Sequence, residues 1–397
     1  MKDYINATVS STGAWIGNIY DLTILTYVYV ELERYYHITL VDVSLLFALG
    51  LIGRFFGGVY LGNMSDKHGS RHIMIISTAG YAVFAGIMAF SPDAIILFAS
   101  RFIQGIFMGG EWASGSVLGY EFAPQNKRGT IFGIIQSGYG IGYALTGVTY
   151  LLFLPTIAVN WRYLLITGAI PLIIAPYTLF RVPKDILKDN NVEKIRLLDY
   201  KRPLVKSMVM LSGFFAAYFS IFSFYPTIAP SFGVSPSTVG YMMIITSIVI
   251  TGTFIIFGNL AMKISKKTLL ISGVIISLIF AWFAMPFSPF LKPFSLLSLV
   301  IFTVGIGSMP IVPLLLMERI NPVARGTISG ISYNFGALFG GVISVVLGFI
   351  GDYVGYSTLI IIIDVTTLLC LIAVIVTAST IRKTRNVNNY EVANRAE

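Results

Sequence analysis

GNMSDKHGSR at 62–71 and GNLAMKISKK at 258–267 are nearly the same ten residues written twice, 196 positions apart. Each opens on Gly-Asn, ends in a cluster of basic side chains and interrupts a long apolar run. A second echo lies in almost the same register: EFAPQNKRGTIFG at 121–133 and ERINPVARGTISG at 318–330 are offset by 197. Two matches at nearly one offset mark an internal duplication. The fold follows from what was duplicated.

Composition sets the solvent. The chain has 397 residues, 56% of them hydrophobic and only 11% charged, where a soluble domain carries about a quarter. Apolar runs of the roughly 20 residues needed to cross a bilayer recur throughout. Twelve are read, at 10–31, 43–64, 72–91, 95–119, 129–153, 161–181, 207–228, 238–262, 268–288, 294–317, 327–350 and 357–380. The opening MKDYINATVSSTG has one basic residue and no small-residue cleavage site after its apolar run, so that run is read as a retained span. The expectation is an all-α polytopic membrane protein.

Charge orients it. With both termini in the cytoplasm, only Arg34, Arg162 and Lys292 lie outside and Arg54 and Arg101 within spans, leaving 22 of the 27 Lys and Arg inside. Lys/Arg excess in short loops marks the cytoplasmic side. The net charge of +9 is thereby a matter of topology, and no nucleic-acid partner is expected. Cys370 is the single cysteine, which excludes an internal disulfide and a cysteine metal cage. No metal or cofactor is expected.

The starts of the first six spans map onto the second six with offsets of 195 to 199. Six spans per half give both halves one orientation, hence parallel repeats about an axis along the membrane normal. Arg181–Lys206, with eight basic and four acidic residues, is the one long polar stretch between spans. The expected organisation is a bundle over 1–180, a cytoplasmic linker over 181–206 and a second bundle over 207–397.

GNMSDKHGSR resembles the loop 2–3 signature of the major facilitator superfamily, and RFIQGIFMG at 101–109 resembles its helix 4 signature. The Arg128-Gly129 entry to the fifth span and the Trp161-Arg162 entry to the sixth fit as well. The resemblance covers the whole chain in architecture and is specific in spans 1–5. GGEWASGSVLGYEFAPQNKRG followed by QSGYGIGYAL is most similar to the branch of proton symporters for organic acids such as lactate and sialic acid. It implies the major facilitator fold, no enzymatic activity, a small-molecule substrate, protons as the coupling ion and a monomer in the cell membrane. Ser70 departs from the pattern, as do Met262 and Ser265 where a full second signature has Asp and Gly. The second copy is therefore expected to gate less tightly, or merely to anchor. The fifth span lacks the Gly-Pro pair that the family's antiporters show, which leans toward symport.

Elementary chemistry gives the first loop a task independently. Gly69 suits a sharp turn. Lys67 and Arg71 can reach phosphates or Glu121, and Asp66 can accept from a neighbouring helix N-terminus. The positive-inside rule alone accounts for Lys67 and Arg71 but not for Asp66. Gly62, Asp66, Lys67, Gly69, Arg71, Glu121 and Arg128 are read as a conformational latch. Gly50, Gly53, Gly57, Gly58 and Gly62 let another backbone approach the second span closely, as a static or a sliding interface requires.

Charge within the bilayer is expensive, about 2.5–3.5 kcal/mol at the centre on the lenient scale. Asp21, Arg54, Arg101, Glu111 and Asp364 fall within spans. At about 100° per residue, Arg101, Gln104, Met108 and Glu111 share one helix face. Asp21 and Arg54 both fall near mid-span and can pair. Asp21, Glu111 and Arg54 are assigned to proton coupling; Arg101, Gln104, Gln136, Tyr139, Tyr218 and Asn334 to the substrate. Asp364, some seven residues into its span, is either buried or interfacial, and Tyr225 suits the interfacial belt. A buried structural ion pair is the alternative for each charge.

His37, His68 and His72 fall in loops or at span ends and no P-loop is present, so an enzyme is not expected. The expected function is alternating-access, proton-coupled symport of a small organic anion. A neutral sugar or polyol carrier is the alternative within transport. A nutrient sensor is the alternative outside it, with the tail after Ile381 as its sole candidate for signalling.

Overall fold

The computed structural model describes residues 2–184, 197–286 and 292–381. The C-terminal tail proposed for signalling, and 185–196 of the expected linker, lie outside the described residues. Helices cross the chain as α1 (Lys2–Ile24), α2 (Leu40–His68), α3 (Ser70–Ala89), α4 (Ala94–Phe122) and α5 (Arg128–Phe153). The sixth crossing, α6, is broken into Ile157–Ile166, a tighter turn over Thr167–Ile173 that holds Pro171, and Ile174–Arg181. Then come α7 (Lys201–Phe222), α8 (Pro236–Leu260), α9 (Lys266–Ala284), α10 (Lys292–Ile306 and Ile311–Met317), α11 (Arg325–Gly351) and α12 (Tyr356–Ser379).

Ten helical segments among the described residues are long and apolar enough to span a membrane, and one of these, 125–181, holds both α5 and α6. With the more polar α1 the crossings number twelve. Proline explains the interruptions, since it removes an N–H and clashes with the preceding turn. Elsewhere the ends are capped as the sequence directs. Thr39 and Asp42 form a reciprocal capping box on α2, Asp93 accepts from Ile96 N–H to start α4, and Ser235 precedes Pro236 at the start of α8.

Helices extend beyond the expected spans where polar residues continue the helix past the apolar run. α1 starts at Lys2 rather than near residue 10, and α7 starts at Lys201 rather than 207. Beyond Ile24, α1 tightens at Leu25–Val28 and hands over to a short helix, Tyr29–Tyr36.

Each half is a six-helix bundle. Within the first, α2 and α3 pack on α4 and α1 packs on α5; within the second, α7 packs on α11 and α12, and α9 on α10. The halves meet along two seams, α2 against α11 and α5 against α8. Glycine makes both seams close. A Cβ at Gly58 would fall 2.6 Å from the Gly330 carbonyl oxygen, one at Gly62 2.7 Å from that of Gly326, and one at Gly129 2.4 Å from that of Gly258. The five glycines of α2 divide their work. Gly53 and Gly57 face the α4 backbone inside the bundle, Gly58 and Gly62 face α11 across the seam, and Gly50 faces the Arg101 side chain. The bundles are thus sealed at the end carrying the α2–α3 loop, here the loop end.

Candidate functional site

At the loop end the α2–α3 connection is one residue long. Gly69 takes φ 93°, a conformation that side chains rarely adopt. The turn leaves Asp66, 7% exposed, pointing at the start of α11. One carboxylate oxygen accepts from Gly326 N–H at 2.7 Å; the other accepts from Thr327 N–H and the Thr327 hydroxyl, both at 2.7 Å. A carboxylate on the first N–H groups of a helix meets the positive end of its dipole. Next to it Arg325 pairs with Glu121 at 3.2 Å, and both Arg325 and Arg128 lie over the ring of Tyr120. Arg71 donates to the Leu179 carbonyl at the end of α6, and Lys67 is exposed.

The second copy of the motif repeats this geometry with weaker chemistry. Met262 stands 196 residues after Asp66, and its Sδ accepts from Gly129 N–H at 3.0 Å. A thioether is a weak, uncharged acceptor. The two seams are built alike, but only α2–α11 is closed by a charge.

The membrane-depth charges sort into two couples. Asp21 and Arg101 form the first, inside the N-terminal bundle. Arg101 donates to the carbonyls of Leu46, Asp21 and Leu22 at 3.2–3.3 Å and to Gln104 Oε1 at 2.7 Å. Gln104 turns its amide toward Asp21 Oδ2 at 3.5 Å, a long contact, and Oδ1 has no hydrogen-bond partner. Gly168, in the broken turn of α6, leaves room for that carboxylate, since a Cβ there would fall on it.

Glu111 and Arg54 form the second couple, at the seam. Asn18 donates to Glu111 Oε2 at 2.6 Å. Arg54, 2% exposed, donates to Asn334 Oδ1 of α11 at 3.3 Å and stands 5.3 Å above the ring of Trp15. Among the described residues no carboxylate oxygen lies within ion-pair distance of its guanidinium. The expected Asp21–Arg54 pair is therefore not formed. Consecutive spans need not turn their charged faces together, and α1 instead aims Asp21 at α4 and α6. Arg101 likewise does not open toward the seam, because backbone carbonyls and Gln104 already occupy its fork.

Around Arg54 lies an aromatic cluster that sequence reasoning left unassigned. Trp112 of α4 stacks on Tyr333 of α11, centroids 3.7 Å apart at 16°, with Trp15 edge-on to both. Trp112 Nε1 donates to Gln136 at 3.2 Å. Tyr139 packs against Tyr143 and Tyr218, and Tyr139, Tyr218, Phe215 and Phe254 line a gap with room for about one water. Trp15 Nε1 is buried without a hydrogen-bond partner, and the Tyr139 and Tyr333 hydroxyls approach only Tyr143 and Gln136, without well-formed hydrogen-bond geometry. Of the six expected substrate residues, Gln136, Tyr139, Tyr218 and Asn334 gather here beside Arg54, whereas Arg101 and Gln104 sit behind, on Asp21. A tryptophan at helical spacing in an apolar span gives no sign of its facing, so Trp15 and Trp112 were illegible. Tyr225 is fully buried, because the chain after α7 folds back into the bundle rather than along a lipid-facing belt.

Two six-helix bundles joined along glycine seams, with charge and unpartnered polar groups buried between them, define a membrane transporter. The Major Facilitator Superfamily model matches residues 13–344; the chain belongs to that superfamily and is a transporter rather than an enzyme. It is 26% identical to the sialic acid transporter NanX of Escherichia coli over 89% of both chains. It is 25% identical to a probable 4-methylmuconolactone transporter of Cupriavidus pinatubonensis, over 86% of this chain and 83% of that one. The proton:xylose symporter XylE superposes with a TM-score of 0.77 at 17% identity, covering 95% of this chain and 94% of that one, a likeness of fold alone.

Proposed function

We propose that this chain carries a small organic anion, a carboxylate metabolite, into the cell together with a proton, by alternating access between its two bundles. The observation that carries the reading is Arg54: a buried guanidinium at the seam, bonded to Asn334 of the opposite bundle, with no carboxylate of the described residues in ion-pair reach. A guanidinium fork matches a carboxylate bidentately. The relatives, a sialic acid transporter and a probable 4-methylmuconolactone transporter, support an organic-acid cargo.

Charge balance supplies the coupling. With Asp21 and Glu111 ionised against Arg54 and Arg101, the buried cluster is neutral. A substrate anion on Arg54 makes it net negative, and a proton restores neutrality. Asp21 is the acceptor, because protonating it breaks no short hydrogen bond, whereas Glu111 holds the 2.6 Å contact from Asn18. Proton and anion then favour each other's binding, as linkage requires. Uptake by proteoliposomes of labelled acids and sugars, with and without an imposed pH gradient, tests the whole reading. Gradient-driven uptake of acids is expected; uptake of sugars alone would replace it with the neutral-cargo carrier.

The bundles 1–180 and 207–397, joined by a linker over 181–206, are placed with both termini and the linker in the cytoplasm, on the Lys/Arg asymmetry. Reporter fusions after residue 190 and at the C-terminus should both read inside. An outside reading at one alone would break the two-bundle model, and outside readings at both would invert the assignment of the loop end.

Asp66 is the latch that holds the loop end shut. Asp66→Asn keeps one acceptor but loses a charge-assisted bond and the dipole term, together about 1.5–3 kcal/mol. Transport should slow about tenfold or more while substrate affinity changes by less than about threefold, since Asp66 touches α11 and not the Arg54 cluster. Parallel loss of binding in a folded variant would contradict a purely conformational role.

A further inference from the structure

Asp364 is a buried carboxylate that the coupling scheme leaves unused. It is 0% exposed, and neither carboxylate oxygen has a hydrogen-bond partner. It lies eight residues into α12, about 12 Å along a helix about 36 Å long. That places it well inside the bilayer, in contrast to the interfacial alternative. The Thr367 hydroxyl one turn on, and the Ser220 hydroxyl of α7, are likewise buried and unpartnered. α7 and α12 run antiparallel, and Gly213 packs on Val374 and the Cys370 carbonyl. Seven residues further along α7, Ser220 therefore stands level with about residue 365.

Among the described residues no cation is found at this level. The helices packed on α12 are α7, α9 and α11. Their titratable groups are Lys201, Arg202, Lys206 and Tyr218 on α7, Lys266 and Lys267 on α9, and Arg325 and Tyr333 on α11. Tyr356 and Cys370 are the other titratable groups on α12 itself. Lys206 and Lys267 are held at the far end of α12, donating to Thr380 and to Ser379 and Ile381. From Asp364 to Ser379 is 15 residues, about 22 Å. Arg325 is engaged with Glu121 at the loop end. An ionised Asp364 would be an isolated charge in a low-dielectric interior, costing several kcal/mol with nothing to offset it.

We propose that Asp364 is a second proton-binding group of this carrier, neutral while enclosed among α7, α9 and α12 and titrating when the C-terminal bundle rearranges, so that each cycle moves one proton more than the N-terminal cluster supplies. The step is the bare reaction of carboxylate and proton to carboxylic acid, taken up at one face of the membrane and released at the other. It differs from the Asp21 site in kind. Asp21 responds to the substrate's charge through the N-terminal cluster, whereas Asp364 has no charged neighbour among the described residues and responds to enclosure.

The proposal rests on proton-coupled uptake, and one experiment separates its failure from failure of that reading. In proteoliposomes clamped at zero membrane potential, the limiting substrate ratio per pH unit multiplies tenfold for every coupled proton, since one unit is 1.36 kcal/mol. Asp364→Asn should lower that limit about tenfold relative to wild type, and Asp364→Glu, which keeps the titratable group, should restore it. Equal limits in wild type and D364N would overturn the proposal while leaving proton coupling intact. A wild type that accumulates nothing down a pH gradient would remove proton coupling itself, and Asp364 with it. Should D364N fail to fold, D364E gives a second measurement through the infrared carbonyl band of protonated carboxyls in the empty carrier. A band that shifts between wild type and D364E identifies the proton on this residue; unchanged spectra would overturn the assignment.

Discussion

Asp21→Asn is expected to leave exchange of substrate between equal pools within a few-fold of wild type and to remove the substrate-linked proton, lowering the limit of accumulation about tenfold per pH unit, to whatever Asp364 alone sustains. The cause is electrostatic. In the wild type the empty cluster of Asp21, Glu111, Arg54 and Arg101 sums to zero, so an arriving anion leaves one uncompensated charge. On the lenient insertion scale such a charge costs about 2.5–3.5 kcal/mol, or about a hundredfold in affinity at about 1.36 kcal/mol per decade. A proton on Asp21 removes that cost. Anion affinity should therefore rise as pH falls, and proton affinity should rise with bound anion by the same factor. An asparagine at 21 mimics the protonated state permanently. The cluster is then positive when empty and neutral when loaded, so the loaded carrier forms and rocks with no proton needed at this cluster. Gln104 and Arg101 keep their remaining partners, because Arg101 is held by backbone carbonyls and by Gln104 rather than by the Asp21 side chain. The check is counterflow and pH-driven uptake in one proteoliposome preparation, with affinity measured across pH. If D21N still concentrates substrate with the wild-type pH dependence, the proton belongs on Glu111.

Periodicity and repetition made the architecture legible, because both are properties of the chain read in one dimension. The twin ten-residue motifs placed the two loop-end turns, and Gly69, Asp66 and the Gly326 region took the geometry that a sharp turn and a capped helix require. Even the departure at Met262 was readable: it lies where Asp66 lies, and accepts from the matching N–H with a weaker atom. Pairing between helices was not legible. Asp21 and Arg54 sit at similar depth on consecutive spans, yet the rotation of α1 about its own axis points Asp21 toward α4 and α6. That rotation is set by contacts such as Gly17 on Pro171 and the Tyr81 hydroxyl on the Ala14 carbonyl, 154 and 67 residues away in sequence. Facing, rather than depth, decided the fate of every charge. Arg101 turned inward onto carbonyls, Arg54 outward onto the seam, and Asp364 into a bundle where nothing answers it. Trp15, Asn18 and Trp112 were invisible for the same reason, being ordinary residues of apolar spans until the facing helices are known.

Replacing Arg54 should produce the largest loss of all, and it separates an anion from a neutral cargo. Arg54→Gln removes a fully buried guanidinium at the seam that, among the described residues, has no carboxylate within ion-pair distance. A substrate carboxylate would then enter beside an ionised Glu111 with no cation to meet it. Breaking a buried charge pair by deleting one partner costs about 3–5 kcal/mol, so anion affinity should fall by more than about a hundredfold. Arg54→Lys keeps the charge but not the planar fork, and should fall between the two because one bidentate contact becomes a point contact. The cation–π contact to Trp15 and the bond to Asn334 are also weakened. A loss of stability therefore accompanies the loss of binding and must be separated from it. The double variant R54Q/E111Q does this, since it leaves no unpaired charge in the second couple and should recover folding without recovering anion binding. Equilibrium binding, read by quenching of the tryptophans at 15 and 112 against the background of Trp161 and Trp282, measures the first quantity, and thermal unfolding the second. A neutral sugar or polyol needs no guanidinium, so for such a cargo R54Q/E111Q would bind within a few-fold of wild type, and the organic-anion reading would fall while the transporter remained.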